Sequence, residues 1–225
     1  MYQLSAAERL ALVKDVVEFA AGRVPVIACG TFGGSVEAQA EEVKRIGAEC
    51  DAVVVVVSQL AAPGESEAVW QANAQKLIDL TADEAIPLGL YECPKPYHRL
   101  LSADMLGWAA STGRFAFHKD TCCAKAPIAA KLAAVKAAGA SSPFKFYNAN
   151  VATLAFSQAE GGHGFSGISA NFYPWMHVWL TRNWEREPAK AAKVQRFLSV
   201  AENVVMYKYP QCAKHYLAGA APAVG

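Results

Sequence analysis

Ala52-Val-Val-Val-Val-Val-Ser58 contains the longest apolar run of the chain, and its reading decides the fold class. Consecutive β-branched residues favour extended backbone. Because side chains alternate across a strand, an unbroken apolar run needs cover on both faces, which is the signature of a parallel sheet flanked by helices. The run is far too short to span a bilayer.

Five further β-rich runs flank it: Val24–Gly30, Ile86–Tyr91, Arg114–Lys119, Phe144–Asn148 and Gly164–Asn171. Between them lie helical patterns. Ser5-Ala-Ala-Glu8 reads as a capping box, followed by Leu10, Val13 and Val17 on one face. Similar stripes are Trp70, Ala74 and Leu77; Ile128, Leu132 and Val135; and Val194, Phe197, Leu198 and Ala201. Ser35, Ser66 and Ser102 stand where N-caps are needed. Strand ends recur at intervals of about 23 to 33 residues, a beat that suits a (β/α) barrel of TIM type. A doubly wound dinucleotide fold fits less well, because Gly30-Thr-Phe-Gly-Gly34 does not match G-x-G-x-x-G. After Trp184 the rhythm stops, and helices are expected at Pro188–Val205 and Pro210–Leu217. The expected architecture is therefore α/β: a partial barrel over residues 1–184 and a helical extension over 185–225. Six strands are present where a closed barrel needs eight. Either the chain is a six-stranded α/β sheet by design or, since Met1 leads almost directly into a helix, it is a barrel lacking its first two strands.

Composition narrows the function. Twenty-one basic residues balance 20 acidic ones, for a net charge of +1, which gives no electrostatic footprint for nucleic acid or an anionic membrane. Six scattered cysteines without framework spacing suggest reduced thiols and a cytoplasmic location. No secretory signal pattern opens the chain.

Barrel chemistry gathers at the carboxyl ends of strands. Here these carry Thr31; Ser58; Tyr91 with Glu92; Lys119 with Asp120; Asn148 and Asn150; and Ser169 with Asn171. Strict alternation places Lys119 on one strand face with Phe115 and Phe117. A lysine desolvated by aromatic rings loses its proton more easily, and its neutral amine can attack a carbonyl to form a Schiff base. The other reading is a strand-end lysine paired with Asp120 or Glu92. Tyr91 ends the neighbouring strand 28 residues earlier, within reach as a proton shuttle; a barrel-filling tyrosine is the alternative. Thr31-Phe-Gly-Gly34 offers backbone donors to an anion. Cys122-Cys123 with Cys93 and His98 lacks zinc-ligand spacing, so no metal is expected. The aromatic segment Phe172–Trp179 reads as a packing surface or subunit interface.

Leu4-Ser-Ala-Ala-Glu-Arg9, Pro25-Val-Ile-Ala28, Leu90-Tyr-Glu-Cys-Pro94, His118-Lys-Asp-Thr121 and Gly167-Ile-Ser-Ala-Asn171 together resemble the dihydrodipicolinate synthase / N-acetylneuraminate lyase family. That family comprises class I aldolases and lyases on a TIM barrel. The resemblance implies Lys119 as Schiff-base lysine, Tyr91 as proton relay, and Gly167 and Ser169 near a bound 2-oxo acid such as pyruvate. Thr31 is taken as a further substrate contact. No metal or organic cofactor is implied, and a homo-oligomer is expected. The chain departs from the family pattern in three places. The Gly-rich carboxylate-binding motif that precedes the first helix is absent, Gln59 and Leu60 replace a tyrosine pair, and Pro96 replaces a substrate-gripping arginine, with Arg99 nearby. These departures frame the competing expectation: an impaired short barrel, or a non-enzymatic binding protein that keeps the lysine by descent. Assembly with another chain could also supply the missing strands.

Overall fold

The computed structural model describes residues 2–139 and 144–220. Strands and helices alternate through most of it: α1 (Ala6–Ala20), β1 (Ile27–Cys29), α2 (Val36–Gly47), β2 (Ala52–Val56), α3 (Glu67–Leu80), β3 (Leu88–Tyr91), α4 (Ala103–Ser111), β4 (Phe115–Asp120), α5 (Lys125–Ala137), β5 (Lys145–Asn148), α6 (Leu154–Ala159) and β6 (Gly164–Phe165). Helices α7 (Pro174–Asn183), α8 (Pro188–Val205) and α9 (Gln211–Ala220) follow. The six strands expected from the sequence are all present. The chain divides into two compact units, residues 1–119 with 133–145 and residues 120–132 with 146–225.

In the first unit β1 pairs with β2, β2 with β3 and β3 with β4, all in parallel. The valine run behaves as its composition requires, since Val53, Val55, Val56 and Val57 are all at most 2% exposed. Helix starts follow the serines. Ser5 and Glu8 close a reciprocal capping box, and Ser35, Ser66 and Ser102 each accept a backbone N–H three residues on, an arrangement that satisfies donors the helix itself cannot. Helices α2, α3 and α4 bury Val43, Ile46, Trp70, Leu77 and Leu106; burial of such a side chain contributes about 1.5–3 kcal/mol. Trp70 donates its indole N–H to the Val57 carbonyl at 3.0 Å, so this large core residue leaves no polar atom stranded.

In the second unit β5 and β6 pair in parallel. Here the expected strand Gly164–Asn171 shortens to Gly164–Phe165, and Ile168–Asn171 is a turn of 3-10 helix. The cause is local. A side chain at Gly167 would meet the Phe165 ring at 2.2 Å and the Ala149 carbonyl at 2.7 Å, so the backbone turns where only glycine fits. Val151, Leu154, Leu180, Ala191 and Leu198 form the core cluster of this unit, and Phe172, Val205 and Ala213 form a second. Periodicity puts Phe197 on the buried stripe of α8, but it is 56% exposed, as are its neighbours Val200 and Val204 at 69% and 70%.

One glycine controls the strand that carries the candidate site. A Cβ at Gly89 would stand 2.0 Å from the Phe117 ring. Replacing Gly89 with alanine forces that aromatic ring aside, an overpacking effect expected to cost about 1–3 kcal/mol. Urea unfolding of Gly89→Ala against the parent chain measures it.

Candidate active site

The register between β3 and β4 sets the site. Leu88 pairs with Phe115, Gly89 with Phe117, Leu90 with His118 and Tyr91 with Lys119, and the register shifts between Leu88 and Gly89. Ala116 is the extra residue of a bulge. Paired residues on neighbouring strands project to the same side of a sheet, so the bulge changes the facial pattern that strict alternation predicts. Phe115, opposite Leu88, falls on the face of Leu90 and His118. Phe117 stays with Lys119, opposite Gly89. The expectation that both phenylalanines flank the lysine is therefore corrected to Phe117 alone. Gly89 makes room for that ring on the strand that ends in Tyr91.

Lys119 and Tyr91 meet directly. The lysine Nζ stands 4.1 Å from the centroid of the Tyr91 ring, a cation–π distance. Burial pushes the Lys119 ammonium below the ordinary lysine range, with the Cys93 sulfur acting in the opposite sense. Carboxylates that could have paired with it are engaged elsewhere. Glu92 lies 3.4 Å from His118, and Asp120 binds Lys131 at 2.7 Å in a buried ion pair within the second unit.

The other candidates divide between the two units. In the first, Thr31 is fully buried and its hydroxyl accepts the Val56 N–H at 2.8 Å, which ties the segment after β1 to the end of β2. Cys29 donates to the Thr31 carbonyl, and burial pushes its thiol up to about 11. Ser58 and Tyr2 both donate to the Lys95 carbonyl, at 3.5 and 3.3 Å. Arg99 donates to the Glu65 and Ser66 carbonyls at 2.9 and 3.1 Å, at the entry to α3.

In the second unit, Asn148 donates to Thr153 and Ser157 and accepts the Asn150 N–H, organising the turn after β5. Ser169 is wholly buried and shares a hydrogen bond with His177 Nε2 at 2.9 Å. The imidazole stacks on Phe165 with centroids 4.1 Å apart, and burial takes it down to about 4. Glu202 is pushed up by burial, with Ser169 hydrogen bonds opposing. Tyr173 rises by burial and by proximity to Glu202.

Sequence reasoning overlooks His118 as a partner for Glu92. The signal is available, because the two residues adjoin Tyr91 and Lys119 and so project from the opposite face. The Ser169–His177 contact carries no comparable signal, since the sequence pattern predicts a strand through Asn171.

Several solved structures share this architecture. A prophage protein from E. coli K12 of the dihydrodipicolinic acid synthase family, solved in complex with pyruvate, superposes with a TM-score of 0.82 at 24% identity, covering 96% of this chain and 72% of that one. A dihydrodipicolinate synthase from Bacillus anthracis gives 0.82 at 19% identity, covering 99% and 73%. The chain shares their fold. A 2-keto 3-deoxygluconate aldolase from Picrophilus torridus gives 0.77 at 16%, covering 96% and 75%. The chain thus has the α/β, TIM-barrel-type fold of these structures, and it spans 72% to 75% of their length. No protein-family model and no curated protein matches the sequence. No helix among the described residues is long and apolar enough to cross a membrane.

The buried imidazole gives a pH test of the second unit. In the unfolded chain His177 takes up a proton near pH 6.5, whereas the folded protein resists until about 4. The unfolded state therefore binds more protons between these values. The stabilising contribution is present above pH 6.5 and is lost as pH falls toward 4. Unfolding free energies of the parent chain and His177→Phe across this window should diverge in slope, with the variant less sensitive to acid.

Proposed function

We propose that the chain is a Schiff-base-forming aldolase or lyase of the dihydrodipicolinate synthase / N-acetylneuraminate lyase family, acting on pyruvate or a related 2-oxo acid. The observation that carries this reading is the seating of the Lys119 amine on the Tyr91 ring at the ends of two paired parallel strands. A partly desolvated amine has a larger neutral fraction near pH 7 than an exposed one, and the neutral form is the nucleophile.

In the proposed reaction Lys119 Nζ attacks the ketone carbon, and the carbonyl oxygen takes up a proton to give a carbinolamine. Loss of water leaves an iminium, which accepts the electron pair released when the bond between its α and β carbons breaks and the far fragment leaves as an aldehyde, or which loses a proton from its α carbon to become the enamine nucleophile of the reverse direction. Tyr91 carries protons in these steps. Gly167, Ser169 and Thr31 are proposed to contribute to holding the oxo acid, although the Ser169 and Thr31 hydroxyls already have the protein partners described above. The chemistry needs no metal.

In this proposal residues 1–184 form the partial barrel and residues 185–225 the helical extension; residues 1, 140–143 and 221–225 lie outside the described residues. The exposed apolar stripe of α8 supports self-association, and six free thiols suit a reducing cytoplasm.

Incubation with pyruvate and borohydride tests the reading. A reduced adduct located by peptide mass at Lys119 is expected, with none in Lys119→Ala. Tyr91→Phe should still form the adduct but about 10²–10⁴-fold more slowly, the usual contribution of proton transfer. An unmodified Lys119 under conditions that label an established relative would favour the rival, a binding protein that keeps the lysine without using it.

A further inference from the structure

Behind the Tyr91–Lys119 pair, the same two strand ends carry a second pair. Glu92 follows Tyr91 and His118 precedes Lys119, so both project from the opposite face of the sheet. Both are wholly buried, and the His118 Nε2 lies 3.4 Å from Glu92 Oε1. That same carboxylate oxygen accepts the Leu101 N–H at 2.9 Å. Leu101 is itself 2% exposed and adjoins Ser102, whose hydroxyl caps α4. One carboxylate therefore joins the end of β3, the end of β4 and the entry to α4.

A buried carboxylate is costly unless it is paired and hydrogen-bonded, and a hydrophobic pair would fill this space without that cost. Its place directly behind the reactive pair suggests what the arrangement accomplishes. The backbone beyond Tyr91 is also held there, where the Glu92 N–H donates to the Lys119 carbonyl at 3.3 Å.

We propose that Glu92 and His118 are positioning residues for the Lys119 amine, fixing the ends of β3 and β4 so that Nζ stays seated on the Tyr91 ring. The inference rests on the reading of Lys119 as nucleophile. Neither residue is catalytic, because both side chains project away from the reacting face. Rates of oriented reactions are steep functions of geometry, and a displacement of about 1 Å can cost about 100-fold. Loosening this brace should therefore slow the attack without changing the groups that contact the substrate.

The test measures how fast the borohydride-trapped pyruvate adduct forms at Lys119, as a function of pyruvate concentration, in the full chain. Glu92→Gln keeps the side-chain volume and an oxygen able to accept the Leu101 N–H, so a role limited to capping that loop would survive it. The expected result is a tenfold or greater fall in the saturating rate, with the half-saturating pyruvate concentration unchanged within twofold. His118→Gln should behave alike. The double variant should be no more than twofold slower than the slower single variant, because the two residues act as one unit.

A folded single variant that traps pyruvate at the parent rate within twofold overturns the inference, as does a double variant whose losses multiply. If circular dichroism shows Glu92→Gln unfolded, His118→Gln decides by the same criterion. A parent chain that shows no adduct at all would instead remove the Schiff-base reading, and this inference with it.

Discussion

A parallel register with a single bulge holds the candidate site together. Parallel strands fix which residues stand opposite one another, and between β3 and β4 that choice puts Tyr91 beside Lys119. The bulge at Ala116 is what brings the pairing into line. It turns Phe115 to the other face while leaving Phe117 beside the lysine. Gly89 completes the arrangement, since the space its missing side chain would fill is occupied by the Phe117 ring. Moved by one residue, the register would carry the amine to the opposite side of the sheet.

The two faces of these strand ends then do different things. One presents an amine, a phenol and a phenylalanine ring, and there burial, which outweighs the attraction of the Tyr91 ring for a cation, disfavours the positive charge and raises the fraction of neutral amine. The other buries a carboxylate and an imidazole against each other, and the carboxylate also accepts a backbone N–H. Adjacent residues thus divide reactivity from support, a consequence of the two-residue period of a strand. In the second unit, Asp120 and Lys131 form a comparable buried pair directly after the lysine in sequence. Lys119 is therefore bracketed along the chain by buried charged or titratable neighbours while its own amine rests on an aromatic ring.

Much of this was legible in the sequence, and the reasons are specific. The valine run pointed to a parallel strand because an unbroken apolar, β-branched run needs cover on both faces, and helical patterns flank it on either side. The serines at 5, 35, 66 and 102 announced helix starts because their hydroxyls serve backbone donors that the helix leaves free. Lys119 and Tyr91 were paired by strand spacing. The bulge was not legible, because Arg114–Lys119 contains no glycine or other residue that marks an extra position, and the ring that needs the space is accommodated by Gly89 on another strand. The shortening of β6 depends on the approach of Ala149 and Phe165 to Gly167, a tertiary contact with no local pattern. Phe197 was misplaced for a related reason. Periodicity shows that a helix has an apolar stripe but not how much of that stripe its own chain covers.

The most direct measure of the account is the ionisation of Lys119 itself, followed by NMR in protein carrying isotope-labelled lysine and assigned through Lys119→Arg. An amine seated on the Tyr91 ring and shielded from water should titrate below the ordinary lysine value of about 10.4, and below the surface lysines of the same sample. A midpoint at or above that value would mean that the ammonium is well solvated or paired with an anion, and would contradict the account.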